Sequence, residues 1–242
     1  MSEEFVIKEW QDIEGKGWNS LLLGNGASIA VSEKFCYGTL YEVAKNGESF
    51  GDIKKIFEKL KTKDFERALL ACWYAKVVNA SLGQSCEVVD KAYESIRGAL
   101  IETVKEVHPA HSDVADHLQS IFEFMSCFSV VFSLNYDLIV YWAMMHGNKY
   151  ITDCFKDCFL KGGKFDSDVD GIRKRYPSKN GEDTLVFYPH GNLVVAEDFF
   201  EGEFKIKVSG KIVPDDLLTT IGVKWKEGGL KPVFVSEGNS SE

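Results

Sequence analysis

Three short groups of residues in this sequence combine side chains and spacings suited to chemistry. The first is Gly24-Asn25-Gly26-Ala27-Ser28, which follows an apolar run, Ser20-Leu21-Leu22-Leu23. Glycine lets the backbone turn sharply and approach a phosphate closely. The amides of a following helix then meet the anion. Ser28 stands where its hydroxyl can cap that helix or touch phosphate. The third glycine of a G-x-G-x-x-G pattern is missing, so a plain strand-to-helix turn reads equally well. The second group, Asn135-Tyr136-Asp137, follows the run at 128–134. In extended chain, residues i and i+2 point the same way. Asn135 and Asp137 then face one pocket while Tyr136 packs elsewhere, or one of them caps the next helix. The third group is His190-Gly191, after the run at 185–189. An imidazole there is a natural general base, or a turn histidine without a chemical role. His108, His111 and His117 sit around a helix start, and His146 near a helix end.

The elements around these groups explain why they can meet. Apolar strands are expected at 20–24, 128–134, 185–189 and 232–235, the first two fully buried. Residues 25–31 open a helix or turn. The apolar spacing predicts helices over 52–61, 64–79, 86–107 and 113–126, with 64–79 apolar almost all round and therefore buried. Ser112 is placed to cap the helix at 113–126. A further helix runs to Met145, and another lies near 214–226. Strands separated by helices imply an α/β protein with a doubly wound parallel sheet, here a single domain over 1–242 with a helical insert at 52–126. In such sheets ligands bind beyond the carboxyl ends of the strands. All three chemical groups are expected there, at one edge.

Composition narrows the partners. Of 242 residues, 45% are hydrophobic and 27% charged, which suits a folded domain, and the formal net charge of −9 argues against nucleic acid. The basic clusters Lys54-Lys55 and Arg173-Lys174-Arg175 are short. The start, Met1-Ser2-Glu3-Glu4, does not read as a secretory signal. Apolar runs fall short of the roughly 20 residues of a membrane span. A cytoplasmic protein is expected. Its six cysteines, Cys36, Cys72, Cys86, Cys127, Cys154 and Cys158, form no C-x-x-C pair and read as free thiols. Cys154 and Cys158 can share a helical face, but no metal site is expected.

Taken in order, the three groups resemble the sirtuin-like NAD-binding family, which shows a G-x-G-x-S turn, then an Asn-x-Asp turn, then a His-Gly pair, each after a strand. The resemblance spans roughly residues 20 to 200. It is nearest to the bacterial branch found in anti-phage defence proteins, whose middle motif usually reads T-x-N-Y-D. Here that stretch is Ser133-Leu134-Asn135-Tyr136-Asp137. The deacetylases of the family carry paired C-x-x-C motifs and a phenylalanine–arginine element. This chain has no such cysteine pairs and reads Ser32-Glu33-Lys34-Phe35-Cys36-Tyr37 in the second region. The resemblance therefore implies a Rossmann-like, sirtuin-like domain that consumes NAD as an NAD glycohydrolase. Gly24, Asn25, Gly26, Ala27 and Ser28 would cradle the pyrophosphate. Asn135 would orient ribose and water, Asp137 would hold the nicotinamide end, and His190 would act as general base. Rival readings are a protein ADP-ribosyltransferase or deacylase on the same site, and a non-enzymatic sensor of an NAD derivative.

An NAD-consuming protein needs control. With the chain largely used by the NAD fold, control is expected through a surface of the helical insert, by homo-oligomer formation or a regulatory protein partner. The end of the sequence, from Pro232 to Glu242, reads as a strand followed by a helix start capped by Ser240 or Ser241, and a truncated C-terminus is expected.

Overall fold

The computed structural model of the chain describes residues 9–12, 15, 17–47, 50, 51, 53–160, 162–175, 183–198, 202–206, 216–227 and 231–234. Strand β1 (Ser20–Leu23) leads into α1 (Asn25–Val31) and α2 (Tyr37–Lys45). Four helices follow: α3 (Lys54–Leu60), α4 (Phe65–Ser81), α5 (Glu87–Val107) and α6 (His111–Met125). The chain returns through β2 (Val130–Ser133), α7 (Ile139–Tyr150), β3 (Phe155–Asp157), α8 (Val169–Arg175) and β4 (Thr184–Phe187). It then forms β5 (Gly191–Asp198), β6 (Gly202–Lys205), α9 (Asp216–Glu227) and β7 (Lys231–Phe234).

Four strands form one parallel sheet in the order β1-β2-β4-β3, and three form a second, antiparallel sheet in the order β6-β5-β7. The fold is mixed α/β with a parallel sheet. The strand expected at 232–235 is present as β7, but it pairs with β5 in the antiparallel sheet. In the parallel sheet, Leu23 lies beside Ser133, and Phe132 beside Phe187. The carboxyl ends of β1, β2 and β4 are therefore neighbours. The residues that follow them, the three chemical groups, start from one edge.

Helices α5 and α6 form because each carries one apolar stripe. On α5 the stripe is Ile96, Leu100, Val104 and Val107, all buried. Asp64 caps α4, its Oδ1 accepting from the amides of Glu66 (2.9 Å) and Arg67 (3.4 Å). Phe50 stacks on Phe57 with ring centroids 5.4 Å apart, and Phe57 meets Phe65 edge-on at 5.0 Å. They belong to a core that runs on through Leu118, Phe122, Met125, Val131 and Leu138 to Leu193 and Val194.

Four local expectations are corrected. Helix α4 is not buried all round. Phe65, Ala68, Leu69 and Cys72 face the core, whereas Tyr74 and Val78 are 56% and 54% exposed. The buried side chains lie in the first half of α4, while its second half meets the start of α5 through an exposed ion pair, Lys76 Nζ to Asp90 Oδ1 at 2.8 Å. Strand β1 is an edge strand with alternating cover, and Leu22 is 65% exposed. An apolar run reads the same whether one face is covered or both. Ser112 lies inside α6. The helix starts one residue earlier, and Asp113 accepts from the amide of Ala110 at 3.3 Å. Cys154 and Cys158 flank strand β3 and share no helical turn. Both are free and buried, and burial pushes the Cys158 thiol up to about 12. The acidic start at 1–4 and the expected cap at Ser240 or Ser241 lie outside the described residues. No described helix is long and apolar enough to cross a membrane.

Candidate functional site

Where β1 and β2 end, the chain opens a cavity of about 260 Å³. Gly24, Asn25, Leu134, Asn135, Tyr136 and Asp137 line it from the sheet side, joined by His190, Phe35 and Glu66. The sheet edge thus brings together the glycine turn, the Asn-Tyr-Asp turn and the histidine. Tyr136, expected to pack elsewhere, lines the cavity as well.

The floor of the cavity is a directional hydrogen-bond chain. Asn135 Nδ2 donates to Gly24 O (3.0 Å) and to Ser28 Oγ (2.8 Å). The Ser28 hydroxyl in turn donates to Asp137 Oδ2. Asp137 Oδ1 accepts from the amide of Ile139 at 2.8 Å. The direction follows from the carboxylate, which can only accept. Ser28 therefore gives its proton to Asp137 and takes one from Asn135. Both amide hydrogens of Asn135 are thereby engaged, and its Oδ1, an acceptor, is the atom it has to offer a ligand. Asn135, Asp137 and Ser28 are all buried.

This chain of bonds sets what each side chain holds within the protein. Each Asp137 carboxylate oxygen takes one hydrogen bond within the protein: one accepts from Ser28 and the other from the amide that closes the first turn of α7. Ser28 bridges Asn135 and Asp137. The amide of Ala27 donates to Gly24 O at 3.0 Å, within the turn. Ala27 and Ser28 line a second, largely apolar cavity of about 270 Å³ between α1, α6 and α7. Only Gly24 and Asn25 of the glycine turn line the first cavity. Asn25 is itself braced, its Nδ2 donating to Phe35 O at 3.1 Å. Gly26 is not in a left-handed conformation, and a Cβ built there meets nothing within 4 Å.

His190 is exposed at the cavity rim. Its position is set by Gly191, whose φ of +72° suits glycine and whose amide donates to Tyr188 O at 2.9 Å. The strand that follows ties this turn to the Asn-Tyr-Asp turn. Asn192 Nδ2 donates to Asp137 O at 2.6 Å, and the amide of Leu193 to Tyr136 O at 2.9 Å. Asn192 is fully buried, and its Oδ1 accepts from Val194 N at 3.0 Å. It is a positioning residue that the sequence reading missed, although a polar residue directly after the His-Gly pair and before an apolar run was a visible signal.

His108 supports the site from below. Its Nε2 accepts from the amide of Leu138 at 3.0 Å, so its Nδ1 carries the proton and donates to Pro109 O at 2.9 Å. The ring packs edge-on against Phe35, a wall of the cavity, and against Trp142. Burial lowers its affinity for a proton below that of a free histidine, outweighing the charge of Asp137 and the Pro109 bond. The unfolded chain therefore takes up a proton on this residue near pH 6.5 while the native chain does not. Stability should be complete above about pH 6.5 and fall as the pH drops below it, by up to about 1.4 kcal/mol per pH unit. Urea unfolding of the wild type and of His108→Gln between about pH 5 and 7.5 checks this. The variant should lose that part of the slope.

The fold and the site together define a mixed α/β protein with a cavity at the carboxyl edge of its parallel sheet. The chain belongs to the family described as a domain of unknown function (DUF4917), whose pattern matches residues 21–242. No curated protein matches it. Among the described residues no group of three or more His, Cys, Asp or Glu is arranged to hold a metal ion.

Proposed function

We propose that this cavity binds NAD and that the chain hydrolyses its nicotinamide–ribose bond, as a sirtuin-like NAD glycohydrolase. The reading rests on one observation: Gly24–Asn25, Asn135 and His190 line the same cavity beyond adjacent parallel strands. Ligands of open α/β sheets bind at such an edge. The cavity, about 260 Å³, lies just below the range of about 300–1,000 Å³ typical of ligand pockets. That suits the nicotinamide–ribose end of the dinucleotide, with the adenosine end running over the glycine turn.

The proposed step adds water across the glycosidic bond. As the bond from C1′ to the nicotinamide nitrogen breaks, its electron pair leaves with nicotinamide and positive charge builds on the ribose, as in other glycosyl transfers. Asn135 Oδ1 accepts a hydrogen from the ribose or from the water. The water oxygen bonds to C1′, and its proton passes to His190. ADP-ribose, nicotinamide and one proton result. Asp137, Ser28 and Asn192 hold Asn135 in place.

Product analysis separates this reading from its rivals. With NAD alone, hydrolysis yields free ADP-ribose equal to the nicotinamide released. A transferase yields ADP-ribose attached to protein, and a deacylase yields deacylated peptide with the acyl group carried on ADP-ribose. A sensor binds NAD and releases nothing. Control of the activity is proposed to act through the exposed outer face of α4, where Tyr74, Val77 and Val78 lie, by contact with a second copy or a regulatory partner as part of an anti-phage response.

Gly26→Val tests the phosphate end. Both residues are poor helix formers and a Cβ there has open space, so stability should change by less than about 0.5 kcal/mol. A pyrophosphate lying against the backbone of this turn would be pushed away. NAD affinity by calorimetry should fall at least tenfold, and unchanged affinity would remove the pyrophosphate from this turn.

A further inference from the structure

The helical insert does more than cover the sheet: it delivers a carboxylate into the cavity. Glu66 lies in the first turn of α4, 42 positions beyond Gly24, and lines the cavity together with Asn135 and His190. A glutamate in a first turn is ordinarily explained by the helix dipole, but such a residue stands in water. Glu66 is half-buried in a wall that also contains Phe35 and Leu134. Burial pushes its carboxyl up and nearby Asp64 adds to this, while the charge of His190 pulls it back. The Glu66 carboxyl and the His190 ring line one small cavity. The other carboxylate on the lining, Asp137, is engaged by Ser28 and Ile139. Glu66 is the carboxylate there with no described hydrogen-bond partner on its side chain. Its backbone amide alone is tied, to Asp64.

We propose that Glu66 is a substrate-contacting residue of this site: its carboxylate accepts a hydrogen bond from a ribose hydroxyl and balances the positive charge that develops on the ribose as the nicotinamide leaves. The proposal rests on the NAD reading above. A negative charge beside C1′ gains most where the ribose is most positive. It therefore acts on the transition state more than on bound NAD. Bonds to ribose hydroxyls strengthen at the same point. Proton transfer stays with His190, so the overall balance of the reaction is unchanged.

The test is Glu66→Gln, which keeps the shape and removes the charge. Wild type and variant are compared for NAD affinity by calorimetry, for nicotinamide release at saturating NAD, and for melting temperature. The expected result is a fall in kcat of about 100-fold, with NAD affinity changed less than tenfold and an unchanged melting temperature. Glu66→Asp, which restores the charge one methylene short, should recover part of the loss. If the wild type cleaves NAD and Glu66→Gln cleaves it equally fast, the role of Glu66 is overturned and the NAD reading stands. If the wild type neither binds nor cleaves NAD, both fall together. A loss in Glu66→Gln that appears only in affinity, or only with a lowered melting temperature, also overturns the assignment.

Discussion

Replacing His190 with alanine is expected to lower nicotinamide release from NAD about 100- to 10,000-fold, the usual loss when a positioned general base is removed. The fold should be unaffected. His190 is exposed, and the geometry of its turn is carried by Gly191 and by Asn192 beneath. Substitutions at such positions usually change stability by less than about 0.5 kcal/mol. The variant should therefore melt with the wild type, and NAD should still bind to it, because the glycine turn and Asn135 are untouched. Stopped assays at saturating NAD, with a melting curve on the same sample, give the answer. Near wild-type turnover in a folded variant would remove His190 from the chemistry.

Asn135→Ala should lose activity to a similar extent, with a different stability signature. The side chain holds Gly24 O and Ser28 Oγ, and the variant leaves both without that donor. Removing one partner of buried polar groups costs about 1–3 kcal/mol. The Ser28–Asp137 and Asp137–Ile139 bonds remain, so the start of α7 should persist. The expected result is a lower urea midpoint, an unchanged dependence on urea concentration, and turnover down at least about 100-fold well below the melting temperature. Retained turnover in the folded variant would mean that Asn135 is a structural brace between the first two strands and not a site residue. The two variants thus divide the site into an exposed chemical group and a buried positioning group.

Much of the scaffold was legible because apolar runs carry their own signal. Leu21-Leu22-Leu23, Val130-Val131-Phe132 and Leu185-Val186-Phe187 all form parallel strands, and the glycine, asparagine and histidine groups follow their ends. The helices of the insert were visible through stripes such as Ile96, Leu100 and Val104. Neighbour relations were less legible. Strand β5 begins at the second residue of the His-Gly pair, so a turn reading of His190-Gly191 hid the strand behind it. The exposure of α4 and of Leu22 depends on what lies opposite, which spacing along one element does not encode. Within the site, sequence order supplied Gly24, Asn25, Asn135, Asp137 and His190 as candidates. It did not supply Phe35 or Glu66, which reach the cavity through the packing of other segments. Nor did it supply the direction of the Ser28 hydroxyl, which is fixed by which partner can only accept.

The central claim is that this cavity cleaves NAD, and the measurement closest to it is the release of nicotinamide and ADP-ribose from NAD by the purified chain, run beside His190→Ala. The account predicts equal amounts of the two products from the wild type, increasing with time and enzyme, and a loss of at least about 100-fold in the variant. Intact NAD in both samples after prolonged incubation at saturating concentration, across dilute and concentrated protein, would contradict it.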